Sequence, residues 1–265
     1  MHVLERAFLR IGARLKFREL DSPWISRWRR VEGDFALDVA RDARGEFFQI
    51  SRLARSPTEF LALDVQARDR HLLLLSRRGG EKHRFLLGFE ERHWFVAGIP
   101  EATPVSRVVD AKQALKPELV VQGERAIQVK ERHRRVNRAR IRQGEWFFVP
   151  VHEVSVPSFL ILRDEPLRRG WGKAHMCEEL YRLGGETVYV APGYPNGITE
   201  EEFRGLGEGE RKSRNWTVMR RNPKVYVRGR VRHLDHKTVQ LDGWHQVLSN
   251  TENLSYAMRN VAFLD

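Results

Sequence analysis

Apolar residues fall at helical spacing at the start of the chain, where Leu4, Ala7, Phe8 and Ile11 predict a short amphipathic helix within residues 2–12. From Leu15 to Leu20 the pattern shifts towards alternation, which then dominates. Phe35–Val39 and Glu46–Ile50 flank Arg41-Asp42-Ala43-Arg44-Gly45 and predict a β-hairpin whose glycine supplies the positive φ of the turn. Glu59–Val65, His71–Ser76, Arg84–Leu87 and His93–Ala97 read as further short strands, with Arg77-Arg78-Gly79-Gly80 as a tight turn. Leu72-Leu73-Leu74-Leu75 is a continuous apolar run, which suits a strand covered on both faces. Between the first strands, Trp24-Ile25-Ser26-Arg27-Trp28-Arg29-Arg30 reads as a surface segment with its tryptophans anchored in the core.

Past residue 100 the punctuation changes. Pro100–Pro104 breaks the strands, and Val105–Leu115 predicts a short helix that ends before Pro117. Lys116–Gly123 separates a β-dominated N-terminal domain, residues 1–117, from a basic α+β C-terminal domain, residues 124–265. No long linker marks this boundary, so a single domain is the alternative. Later strands are expected at Trp146–Pro150, Phe159–Leu162, Thr187–Val190, Val225–Arg232 and Thr238–Leu241. After a basic loop at Arg168–Lys173, a helix is expected over Ala174–Leu183, stopped by Gly184-Gly185, and Thr199 with Glu202 forms a capping box. The expected fold is α+β and strand-rich, with mostly antiparallel sheets and a few short helices.

Composition excludes some classes. Apolar content of 41% with 10% aromatic residues argues against disorder. The single Cys177 rules out a disulfide framework and a cysteine-based zinc site, and it points to a reducing compartment. Neither a signal peptide nor a membrane span is legible, so a cytoplasmic location is expected.

The net charge of +12 is unevenly spread. Residues 130–142 hold seven Lys/Arg and one Glu, a net +6, and residues 211–232 hold nine Lys/Arg and no acid, a net +9. Those two segments therefore exceed the charge of the whole chain. Concentration of this kind is the footprint expected for a nucleic-acid backbone, RNA or DNA. Arg228, Arg230 and Arg232 alternate with Val227, Gly229 and Val231, which predicts a row of arginines on one face of a strand. Arg220, Arg221 and Lys224 extend it, and Arg134, Arg135, Arg138, Arg140 and Arg142 supply a second set of phosphate contacts. The alternative is a structural subunit that docks this surface on an acidic protein.

The same stretch carries candidate chemistry in His233, Asp235, His236 and His245. Three imidazoles and a carboxylate within thirteen residues suit a divalent ion, or a general base for phosphodiester hydrolysis. Neighbouring arginines favour neutral histidines, the form that acts as ligand or base. The first reading remains a nucleic-acid-binding protein, alone or as a subunit of a nucleoprotein complex; the alternative that these residues support is a metal- or histidine-dependent nuclease, and only that alternative implies a cofactor, a divalent metal. A ββα-metal nuclease pattern, which needs a later His or Asn on a following helix, is matched only in part, since Asn250 and Asn253 but no further histidine follow His245; neither a phosphate-binding P-loop nor a G-x-S-x-G elbow is present.

Overall fold

A computed structural model describes residues 3–20, 35–168, 173–254 and 261–262. The stretch 24–30 and most of the 168–173 loop lie outside them. The helix α1 (Val3–Arg10) leads into β1 (Leu15–Leu20), then the hairpin β2 (Phe35–Asp42) and β3 (Gly45–Leu53). A meander follows, with β4 (Glu59–Gln66), β5 (His71–Arg78), β6 (Glu81–Glu90) and β7 (His93–Gly98). Helices α2 (Val108–Ala114) and α3 (Glu118–Gly123) precede the short strands β8 (Val136–Asn137), β9 (Arg140–Gln143) and β10 (Trp146–Pro150). Next come β11 (Leu162–Leu167), β12 (His175–Leu183), β13 (Glu186–Ala191) and β14 (Tyr194–Thr199). Helices α4 (Glu200–Gly205) and α5 (Glu208–Lys212) separate these from β15 (Thr217–Arg221), β16 (Lys224–Arg232), β17 (Val239–Ser249) and β18 (Val261–Ala262). The fold is strand-rich and its sheets are mostly antiparallel, as the alternation predicts; β1 on β3 and β18 on β2 are parallel.

The sheets β1-β3-β2-β18 and β4-β5-β6-β7 share one core with α1. Phe8, Phe48 and Trp94 meet there edge to face. Leu72 and Leu74 point into that core, while Leu73 joins a second one with Val108, Ala111 and Leu115 of α2 and the residue after it. The four-leucine run is thus buried on both faces, each face against a different partner. The third sheet has seven strands in the order β11-β12-β16-β17-β10-β9-β8, and buries Phe148, Cys177, Leu180, Val227, Val231 and Leu241 on one side. Among the described residues no helix is long and apolar enough to cross a membrane.

Two segments depart from the reading of the sequence. Ala174–Leu183 is not a helix: His175–Leu183 is a strand paired with β16. A register shift between Cys177 and Glu179 puts Cys177 and Leu180, three apart, into the same core, and that bulge imitates helical spacing. Phe159–Leu162 is not a strand either: Ser158–Leu160 forms a 3-10 turn, and β11 starts only at Leu162. Between the two expected domains, α3 fills most of Lys116–Gly123 and Val120 is buried. Beside it Glu124, buried, accepts from Lys116 Nζ at 2.6 Å, Arg140 Nε at 3.0 Å and Asn137 Nδ2 at 3.0 Å. This knot ties the basic stretch 130–142 to the rest of the fold.

Candidate metal centre

The antiparallel register of β12 on β16 sets Met176 opposite Arg232, so the start of one strand lies beside the end of the other. His175 opens β12, and His233 and His236 lie in the loop that follows β16. That register brings the three rings together. One ligand nitrogen from each lies within 4.8 Å of the others. The rings stack, with centroids 4.2 Å apart for His175–His233, 4.6 Å for His233–His236 and 5.6 Å for His175–His236.

The two-residue turn between β9 and β10 passes beside the cluster at Gly144, which has a φ of +58°. A Cβ at Gly144 would stand 2.8 Å from His236 Nε2 and 3.5 Å from His175 Nε2. These two nitrogens therefore approach the same point of backbone, and glycine leaves the room and tolerates the left-handed conformation.

His175 is only 1% exposed, and neither of its ring nitrogens has a hydrogen-bond partner among the described residues. Burial lowers its pKa to about 3, with a smaller contribution from His233 and His236, so the ring is neutral near pH 7. Burial also lowers His233, again with help from His236. Buried polar atoms are almost always satisfied, and an imidazole with two unpartnered nitrogens is the exception that a bound ion would resolve. Three converging imidazoles fit zinc or a similar divalent ion, and a three-histidine set leaves a coordination position for water or substrate.

The surroundings orient the loop. His233 Nδ1 accepts the Asp235 N–H at 3.1 Å, and Glu91 Oε2 accepts the Lys237 N–H at 2.7 Å while facing His236 Nδ1 at 3.5 Å. Asp235 takes Lys173 Nζ at 2.9 Å and lies 3.6 Å from His93 Nε2. Burial works to raise the Asp235 pKa, but the Lys173 ammonium outweighs it and holds the carboxyl below its usual range.

Of the four residues expected from the sequence, the structure brings two into the histidine cluster and places two outside it. His233 and His236 converge, but the Asp235 carboxylate turns to Lys173 and His93 rather than joining the ligand set. His245 lies in β17 opposite Val227 and Pro150, its Nδ1 is 3.0 Å from Gly243 O, and it is not in the cluster. The candidate ligand that sequence reasoning missed, His175, lies 58 positions before His233 in a segment read as helix. Pairing the β-forming stretch after Lys224 with 175–183 as strands would have found it.

The arginines are placed otherwise than a bare phosphate surface requires. Arg228 pairs with Glu179 and lies over the Trp244 ring, Arg230 reaches Glu178 at 3.0 Å, and Arg232 reaches Asp164 at 2.7 Å. Arg134, Arg135, Arg142 and Arg221 pair with Glu131, Glu91, Glu90 and Glu186. Arg140 is 2% exposed inside the Glu124 knot, so its assignment as a phosphate contact is corrected. Arg220 donates to Gly185 O, whereas Arg138 and Lys224 are exposed and have no carboxylate partner among the described residues. The counter-charge for both basic segments comes largely from acids that are distant in sequence.

No family model, curated protein or solved structure matches the chain.

Proposed function

We propose that the protein is a metal-dependent hydrolase in which His175, His233 and His236 hold one divalent ion of the zinc type. The observation that carries this reading is the convergence of three imidazole nitrogens around a buried histidine whose ring nitrogens have no hydrogen-bond partner among the described residues. An ion held by His175, His233 and His236 would polarise a bound phosphoryl or carbonyl oxygen and would lower the pKa of bound water towards neutrality. The net charge of +12, and the exposed Arg138 and Lys224 in particular, favour a polyanionic substrate over a neutral one. A nucleic-acid phosphodiester, RNA or DNA, is the substrate class proposed.

The test is cleavage of bis(p-nitrophenyl) phosphate and of a single-stranded oligonucleotide by the full chain loaded with zinc or manganese. Cleavage should vanish on chelation, return with the ion, and fall by at least 100-fold in His175→Ala. Oligonucleotide binding should weaken steeply with salt. Absence of cleavage by the metal-loaded wild type, or equal cleavage by His175→Ala, overturns the proposal.

A further inference from the structure

The ligands of the proposed ion all come from the seven-stranded sheet, yet the group facing His236 does not. Glu91 sits in the turn between β6 and β7, with a φ of +53°, at the end of the N-terminal meander. Its carboxylate takes the Lys237 N–H at 2.7 Å, pairs with Arg135, and lies 3.5 Å from His236 Nδ1. On the other side of the same ring, Nε2 points to the backbone at Gly144, where His175 Nε2 also comes near. The ring is therefore set between a carboxylate at one nitrogen and the converging ligand atoms at the other. Metal-bound histidines are oriented and made more basic by such a carboxylate on the second nitrogen.

The contacts on either side extend the same junction. Glu90 pairs with Arg142 of β9. His93 Nδ1 lies 2.7 Å from Glu46 Oε1 of β3, and His93 Nε2 lies 3.6 Å from Asp235 in the ligand-bearing loop. One short turn thus touches the 233–237 loop through Glu91 and His93, and β9 through Glu90.

We infer that Glu91 is the positioning residue for His236, and that ion binding and docking of the β6–β7 turn on the seven-stranded sheet are coupled. This rests on the metal reading above and deepens it. Loading the ion draws the Nδ1–Oε2 separation of 3.5 Å into a hydrogen bond, because a ring that gives its Nε2 lone pair to a cation donates more strongly from Nδ1. Coupling of this kind is reciprocal: whatever loosens the turn weakens the ion, and the ion tightens the turn.

The experiment uses the full chain and zinc, with affinity measured by competition against a chromophoric chelator. Glu91→Gln should weaken zinc binding by about 10- to 100-fold, while Glu59→Gln, at a remote surface pair with Arg77, leaves it unchanged. In imidazole 1H–15N spectra the His236 Nδ1–H of the zinc-loaded wild type should resist exchange, and Glu91→Gln should abolish that protection. A measurement that needs no substitution accompanies these: zinc should slow amide exchange at residues 88–94 of the wild type. Equal affinity in Glu91→Gln, or no change in amide exchange at 88–94, overturns the inference while the metal reading stands. A wild type that binds no zinc overturns both.

Discussion

Replacing Gly144 by alanine separates the demands of the backbone from those of the centre. Gly144 and Gly79 each occupy the first position of a two-residue hairpin turn, with φ of +58° and +55°. An alanine held in this left-handed region costs about 1–2 kcal/mol, and at Gly79 that is the whole effect, because a Cβ there meets nothing within 4 Å. At Gly144 the Cβ would meet His236 Nε2 at 2.8 Å, and ordinary contact begins at 3.4 Å, so the nitrogen must retreat by 0.6 Å. Metal–ligand distances tolerate deviations of only about 0.2 Å. Gly144→Ala should therefore bind zinc at least tenfold more weakly than wild type, about 1.4 kcal/mol, on top of the stability loss that both variants share. Urea unfolding measures the shared loss and chelator competition measures the affinity. Equal zinc affinity in Gly144→Ala and Gly79→Ala would refute the placement of the ion beside this turn.

Three further outcomes follow from the packing. Glu124→Gln leaves Lys116 and Arg140 as buried cations without their carboxylate, and should cost about 3–5 kcal/mol in urea unfolding; a cost below about 1 kcal/mol would show that the knot does not hold the segment. Burial first, and the charge of Lys112 second, lower the His71 pKa to about 4. Its folded pKa lies below the unfolded one, so the stability it supports is full above about 6.5 and is lost as pH falls through about 4; a ring titration midpoint by NMR at 6 or above would contradict this. Cys177 is buried and its thiol is pushed up to about 12, so it should resist Ellman's reagent in the native protein and react on unfolding; rapid native reaction would refute the packing of β12.

Much of the architecture is legible in the sequence because the N-terminal half obeys single-period rules. The hairpin at 35–53, the meander from Glu59 to Gly98 and the doubly covered leucine run all follow from local alternation and turn residues. The same rules fail at β12, where a bulge turns an alternating strand into a three-residue spacing. That failure hides the most buried member of the proposed centre, since His175 carries no pattern except through its partner strand. Charge is misleading for a related reason. Sequence clusters Arg228, Arg230 and Arg232, but pairing in the third dimension supplies Glu179, Glu178 and Asp164 from β11 and β12. His233 and His236 are visible because they share one loop. Asp235 is their equal in the sequence, yet a loop can send successive side chains in opposite directions, and its carboxylate pairs with Lys173.

The proposed function rests on one divalent ion held by His175, His233 and His236. Equilibrium dialysis of the purified full chain against zinc, followed by elemental analysis, tests it most directly. One ion per chain is expected in the wild type and loss of that ion in His175→Ala, with His245→Ala still binding one. Wild type without tightly bound metal, or His175→Ala with the same stoichiometry and affinity as wild type, would contradict it.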